Sequence, residues 1–345
     1  MLKIHRYILI LFFSSTFVFA QVPGDSLSFI TSRFSYPQLS SNFEKQLNTY
    51  NLIQKFNYGK QIDKTFIGLN QTFLSTIIRS NTMSIRDESF LSFLGQYSFS
   101  PLFSTGAHIN YNNYADDKKL AINSSSVFNA TLFTKFNPVA GLSLTPYGGV
   151  SKNEQIGITD TGPIYGAEVL LNKVNINEFN INSEMKFQNE DINPRKNTLR
   201  NIKFNVDKTF ENSFRNQLLG SYSEQRKDFY FDADSLLKDE FDIEKNIQSR
   251  TENRISIIDR LNIGTSLPGL TFFMEGGAAW RTIDRDTRYI ALSDITTSSF
   301  NTEINEFRID LNTSLQYVRN NFDGMLRLVF SERDEKHNAK YIEGA

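Results

Sequence analysis

Histidine is the scarcest chemistry-bearing residue in this chain, confined to His5, His108 and His337. A hydrolytic triad needs an imidazole to take the proton from its nucleophile, and a third group to orient that imidazole. His108 and Asn110 stand two residues apart, which on a strand places both on one face. No serine stands out as the nucleophile such a site would require. The plainer reading of His108 is a lone polar residue on a hydrated face. A second cluster is acidic: Asp228, Asp232, Asp234, Asp239, Glu240 and Asp242. Asp232 and Asp234 could offer oxygen ligands to a hard cation such as Ca²⁺. The acidic spacing of a dedicated calcium loop is missing, so a solvated loop explains the same residues. A third group mixes signs: Arg250, Glu252, Arg254, Asp259 and Arg260, with Arg308, Asp310 and Asn312 further on. Such residues could pair, or line a hydrated path and set its ion preference. Cysteine is absent, and no phosphate-cradling glycine loop, zinc spacing or HExxH element occurs. The sequence assigns no catalytic residue, no metal and no cofactor.

The elements that carry these residues have a two-residue period. Over 303–317, Phe307, Ile309, Leu311, Thr313, Leu315 and Tyr317 alternate with Glu306, Arg308, Asp310, Asn312, Ser314 and Gln316. A helix would scatter these residues around its circumference, whereas a strand separates them into two faces. The same alternation marks Ile202, Phe204 and Val206, and again Phe179, Ile181, Met185 and Phe187. The expected strands are 27–36, 43–57, 62–79, 85–99, 102–114, 119–136, 141–152, 162–172, 174–190, 195–209, 213–231, 240–262, 268–290, 300–318 and 322–335. Many exceed the roughly 5–6 residues usual in globular strands. Within 40–57 the spacing of Phe43, Leu47, Tyr50 and Gln54 also fits a helix.

Two kinds of connection alternate between these strands. Short, weakly charged turns lie near Gly59, Pro101, Pro138, Lys173, Asn212, Pro268 and Asn320. Longer, more charged loops are expected near Asn81, Asp116, Asn153–Thr161, Asp191–Pro194, Asp228–Asp242, Asp284–Ser298 and Glu332–His337. Aromatics flank the short turns: Phe99, Phe103, Phe136, Phe210, Phe214, Tyr317 and Phe322. Tight turns at one end, long loops at the other and an aromatic girdle are the requirements of a transmembrane β-barrel. The short turns would then face the periplasm. Hairpin-end hydrophobes of a soluble sheet are the alternative.

The remaining composition narrows the class. Lys3, His5 and Arg6 precede an apolar run, Tyr7–Phe13, that continues to Phe17-Val-Phe-Ala20. This reads as a signal peptide over residues 1–20, since the run is too short to span a bilayer as a helix. Residues 21–60 are expected to hold N-terminal strands or a short periplasmic, plug-like segment, and 61–345 the barrel. The formal net charge of −1 carries no nucleic-acid footprint. A mean hydropathy of −0.37 is compatible with a barrel, because only alternate residues meet lipid.

Taken together, the chain resembles bacterial outer-membrane β-barrel proteins. The likeness is architectural and porin-like, and asparagine-rich strands such as Asn110-Tyr-Asn-Asn-Tyr114 resemble those of the Bacteroidota. The resemblance implies an all-β, antiparallel transmembrane barrel of roughly 14–16 strands. It implies contact with outer-membrane lipid and the barrel-insertion machinery, and leaves the oligomeric state open. Such barrels typically finish on an aromatic residue, so Ala345 raises the expectation of a chain incomplete at its C-terminus. Three functions follow as expectations. The first is a channel or transport pore for small hydrophilic solutes, lined by Arg250, Glu252, Arg254, Arg308, Asp310, Asn312 and His108. The second is a non-conducting barrel whose surface loops bind a partner. The third is an outer-membrane hydrolase using His108 or a carboxylate pair at an accessible rim.

Overall fold

Strands here extend well past their apolar cores, because ladder hydrogen bonds require only backbone and tolerate any side chain on a hydrated face. The structure, a computed structural model, describes Phe34 and residues 37–79, 83–116, 124–155, 157–210, 214–231, 245–265, 267–290, 300–319 and 322–341. Among the described residues there are fifteen strands: β1 Gln38–Gln46, β2 Thr49–Ile62, β3 Thr65–Arg79, β4 Met83–Ser100, β5 Phe103–Asp116, β6 Ser124–Val139, β7 Leu142–Gln155 and β8 Ile158–Ile176. They continue as β9 Phe179–Ile192, β10 Arg195–Phe210, β11 Phe214–Phe231, β12 Lys245–Gly264, β13 Leu270–Ile290, β14 Phe300–Arg319 and β15 Phe322–Tyr341. Each pairs antiparallel with its sequence neighbours in a single sheet, ordered β1 to β15. Among the described residues, β1 pairs only with β2 and β15 only with β14.

The all-β class and the strand number agree with expectation, but several boundaries move. The expected strand 43–57 is instead a hairpin, turning at Leu47-Asn48 with Leu47 at φ 51°. Strand 27–36 and the leader lie outside the described residues, Phe34 excepted. The turn expected near Gly59 falls at Asp63-Lys64. Lys173 is a bulge within β8, with φ 54° and a register shift between Leu171 and Val174. The actual turn comes at Asn177-Glu178, where both residues take positive φ, as a type I′ hairpin demands. The expected loop 153–161 collapses to a tight turn whose Gly157 has φ +77°. Asp191 and Ile192 remain in β9, Asp284 in β13, and Glu332–His337 run inside β15. The charges of Asp191, Asp284 and Glu332–His337 therefore belong to strand ends rather than to loops.

The two ends still differ. Segments 63–64, 101–102, 140–141, 177–178, 211–213, 265–269 and 320–321 join strands at one end. The strand ends that flank 117–123, 232–244 and 291–299 all lie at the other, as do those that flank 47–48, 80–82, 156–157 and 193–194.

A single sheet can hide side chains only by curling around one face. That face holds Leu94, Phe133, Tyr147 and Ile164, a buried cluster completed by Phe34. Register places two of these rings over cross-strand glycines. Phe133 pairs with Tyr147 and lies over Gly106, while Tyr147 lies over Gly166. A β-carbon at Gly106 would come 2.6 Å from the Phe133 ring, so the glycine makes the flat approach feasible.

Candidate functional site

The charged residues singled out by alternation come together on the curled-in face. Counting along the ladders, Arg250, Glu252 and Arg254 of β12 share a face with Arg281 of β13 and with Glu306, Arg308, Asp310 and Asn312 of β14. Asp259 falls on the opposite, apolar face, between Ile257 and Leu261, and accepts a 2.7 Å hydrogen bond from Asn216. It leaves the group to which the sequence joined it because its number has the other parity.

Glu252 organises the strip. Its carboxylate accepts from Arg281 at 2.8 Å, Arg250 at 3.1 Å and Arg254 at 3.3 Å. Glu306 meets Arg333 at 3.0 Å and Arg281 at 3.6 Å. Arg308 pairs with Asp310 at 2.8 Å, and the Ser331 hydroxyl donates to the same carboxylate. Towards the short-turn end Arg260 and Glu275 face each other across the ladder at 2.6 Å. These side chains are only part-buried, so this half of the face meets water.

The half formed by β4–β10 is filled instead. His108 is 1 % exposed, with its Nε2 2.9 Å from the Ser92 hydroxyl. A serine–histidine pair therefore exists, yet burial leaves no approach for a substrate carbonyl. Lys186 and Glu168 form an ion pair at 3.2 Å, both nearly fully buried. The Tyr147 hydroxyl donates to Gln188, whose amide donates to Glu190, which also accepts from Asn197.

Near the long-loop end, Arg195 is fully buried. Its Nε donates to Asp160 at 2.6 Å, and its two terminal nitrogens donate to the Asn153 side chain and carbonyl. The guanidinium lies 4.7 Å above the Tyr230 ring. Beside this cluster β10 and β11 part, and side chains bridge the gap. Asp228 N–H donates to Asn197 Oδ1 at 3.1 Å, and Lys196 N–H donates to Asp228 Oδ2 at 3.0 Å. A cavity of about 150 Å³ sits here, lined by Asn153, Gln188, Glu190, Asn197 and Arg226 among others. Asp228 is thus a buried structural bridge; the rest of the acidic cluster, Asp232 to Asp242, lies outside the described residues.

Sequence reasoning missed Arg195, Asp160, Lys186 and Glu168. A signal existed for β9, where Lys186, Gln188 and Glu190 alternate with Met185 and Phe187. Arg195 stood at the first position of an expected strand, directly after Pro194, and nothing in its neighbours marked it as buried.

The opposite face carries the aromatics of the short-turn end. Phe99 and Phe103 stand 5.7 Å apart, Phe210 and Phe214 5.2 Å, and Tyr317 and Phe322 6.1 Å, ring centre to ring centre. Phe136 pairs across the ladder with Phe103. Lys208 stretches over Phe179 and Phe210, its ammonium 4.6 Å and 4.9 Å from the ring centres. At the other end of the same face, polar contacts take over: Arg200 pairs with Glu224, and the Tyr165 hydroxyl donates to Asp191. No helix among the described residues is long and apolar enough to cross a membrane. No protein-family model matches the chain, and no characterised relative was found by sequence.

Proposed function

We propose that this protein is an outer-membrane β-barrel whose charged inner wall passes small hydrophilic solutes. The observation that carries the reading is the division of one sheet into two faces. One face bears part-hydrated ion pairs on β12–β15; the other bears exposed Leu, Ile and Phe bounded by an aromatic row at the short-turn end. An apolar face this broad has no cover among the described residues, and lipid is the solvent that suits it. On this reading the short turns face the periplasm and the long loops the outside.

A second reading is a non-conducting barrel that works through its surface loops. It is favoured by the filling over β4–β10, where Phe34, Leu94, Phe133, Tyr147 and Ile164 pack and Arg195 is sealed. Conductance of the purified protein in planar bilayers separates the two. Steady conductance is expected for the pore. Inserted protein that passes no current supports the filled barrel.

A further inference from the structure

We infer that the charged strip on β12–β15 makes the path selective for small oxyanions. The inference rests on the pore reading. Its ground is the register. Arg250 stands directly opposite Arg285, Arg254 opposite Arg281, and Arg308 opposite Arg333. Like charges directly opposite one another destabilise a sheet unless counter-charges screen them, and three such pairs lie on two ladders, β12/β13 and β14/β15.

Among the described residues the nearby carboxylates do not balance them. Around these six guanidiniums the same face offers Glu252, Glu306, Asp310 and Glu335. Each of those carboxylates already holds at least one arginine, and Glu252 holds three. A guanidinium has five N–H donors, whereas Arg250 and Arg254 each reach Glu252 through one terminal nitrogen. Donors therefore remain, on side chains that are 40 % and 41 % exposed. Planar forks of this kind match carboxylate and phosphate oxygens. The Arg250/Arg285 and Arg254/Arg281 pairs lie four residues apart along β12, about 13 Å at roughly 3.3 Å per residue. An anion leaving one pair meets the next, and weak binding at successive sites is what permits passage.

The experiment is the reversal potential of the full chain in planar bilayers under a KCl gradient, followed by titration with inorganic phosphate. A potential on the chloride side, with chloride current falling as phosphate is added, is the expected result. Arg254→Gln with Arg281→Gln should move the potential towards the potassium side and weaken the block. Glu252→Gln, which frees three arginines, should move it further towards chloride. Conductance that is unselective or cation-preferring in the wild type overturns the inference and leaves the pore standing. An effect of Glu252→Gln in the opposite direction also overturns it. Folded, inserted protein without conductance overturns the pore reading and the inference together.

Discussion

Gly59 and Gly68 face one another across β2 and β3, and Phe34 lies in the slot they leave. A β-carbon at Gly59 would stand 2.4 Å from the Phe34 carbonyl oxygen, and one at Gly68 would stand 2.5 Å from its ring. The ring meets Phe66 edge-on at 6.2 Å. The paired glycines are thus a seat for Phe34.

Filling that seat should unseat Phe34. Gly68→Val is expected to destabilise by about 1–3 kcal/mol, as overpacking does. Phe34→Ala should cost a similar amount by losing the same contact. Denaturant unfolding of both variants and their combination checks this. Additive losses would show that Phe34 and Gly68 act separately.

Arg195 and Asp160 form the most deeply buried ion pair among the described residues, with side chains 0 % and 8 % exposed. Arg195→Met strands the Asp160 carboxylate and should cost about 3–5 kcal/mol. Adding Asp160→Asn should restore much of the loss, because the orphaned charge is then gone. The double-mutant cycle is read from unfolding midpoints; no recovery in the double variant would refute the pairing as the cause.

Trp280 is the single tryptophan of the chain and lies on the apolar face, 5.1 Å from Phe307. If lipid covers that face, brominated acyl chains will quench its emission while aqueous iodide will not. Efficient iodide quenching in reconstituted vesicles would place the face in water and remove the membrane reading.

Phe133 is 2 % exposed at the centre of the filled half. Phe133→Ala should lower stability by about 3–5 kcal/mol through lost burial and a residual cavity. Thermal unfolding of detergent-folded protein measures it. A negligible change would mean that water already reaches the ring.

Much of this architecture was legible from period alone. Phe307, Ile309 and Leu311 alternate with Arg308 and Asp310, and any strand of that composition has one apolar and one charged face. The aromatic row was equally legible, since Phe99 and Phe103, or Phe210 and Phe214, bracket a turn in sequence before they meet in space. Strand ends were not. Glu332 and His337 look like loop residues, yet they belong to β15, because a hydrated strand end needs hydrogen-bonded backbone and no apolar side chain.

The sequence by itself determined the class, the alternating faces, the approximate strand number and most of the charged residues that share a side, Asp259 excepted. Tertiary structure alone decided who stands opposite whom. A shift of one residue at the Thr265–Gly269 connection would separate Arg254 from Arg281, and no local preference in either strand records that match. The slot at Gly59 and Gly68, the parting of β10 from β11 at Asp228, and the burial of Arg195 all depend on contacts between residues distant in the chain. Periodicity is a property of one strand, whereas register and curl exist only once neighbouring strands have paired.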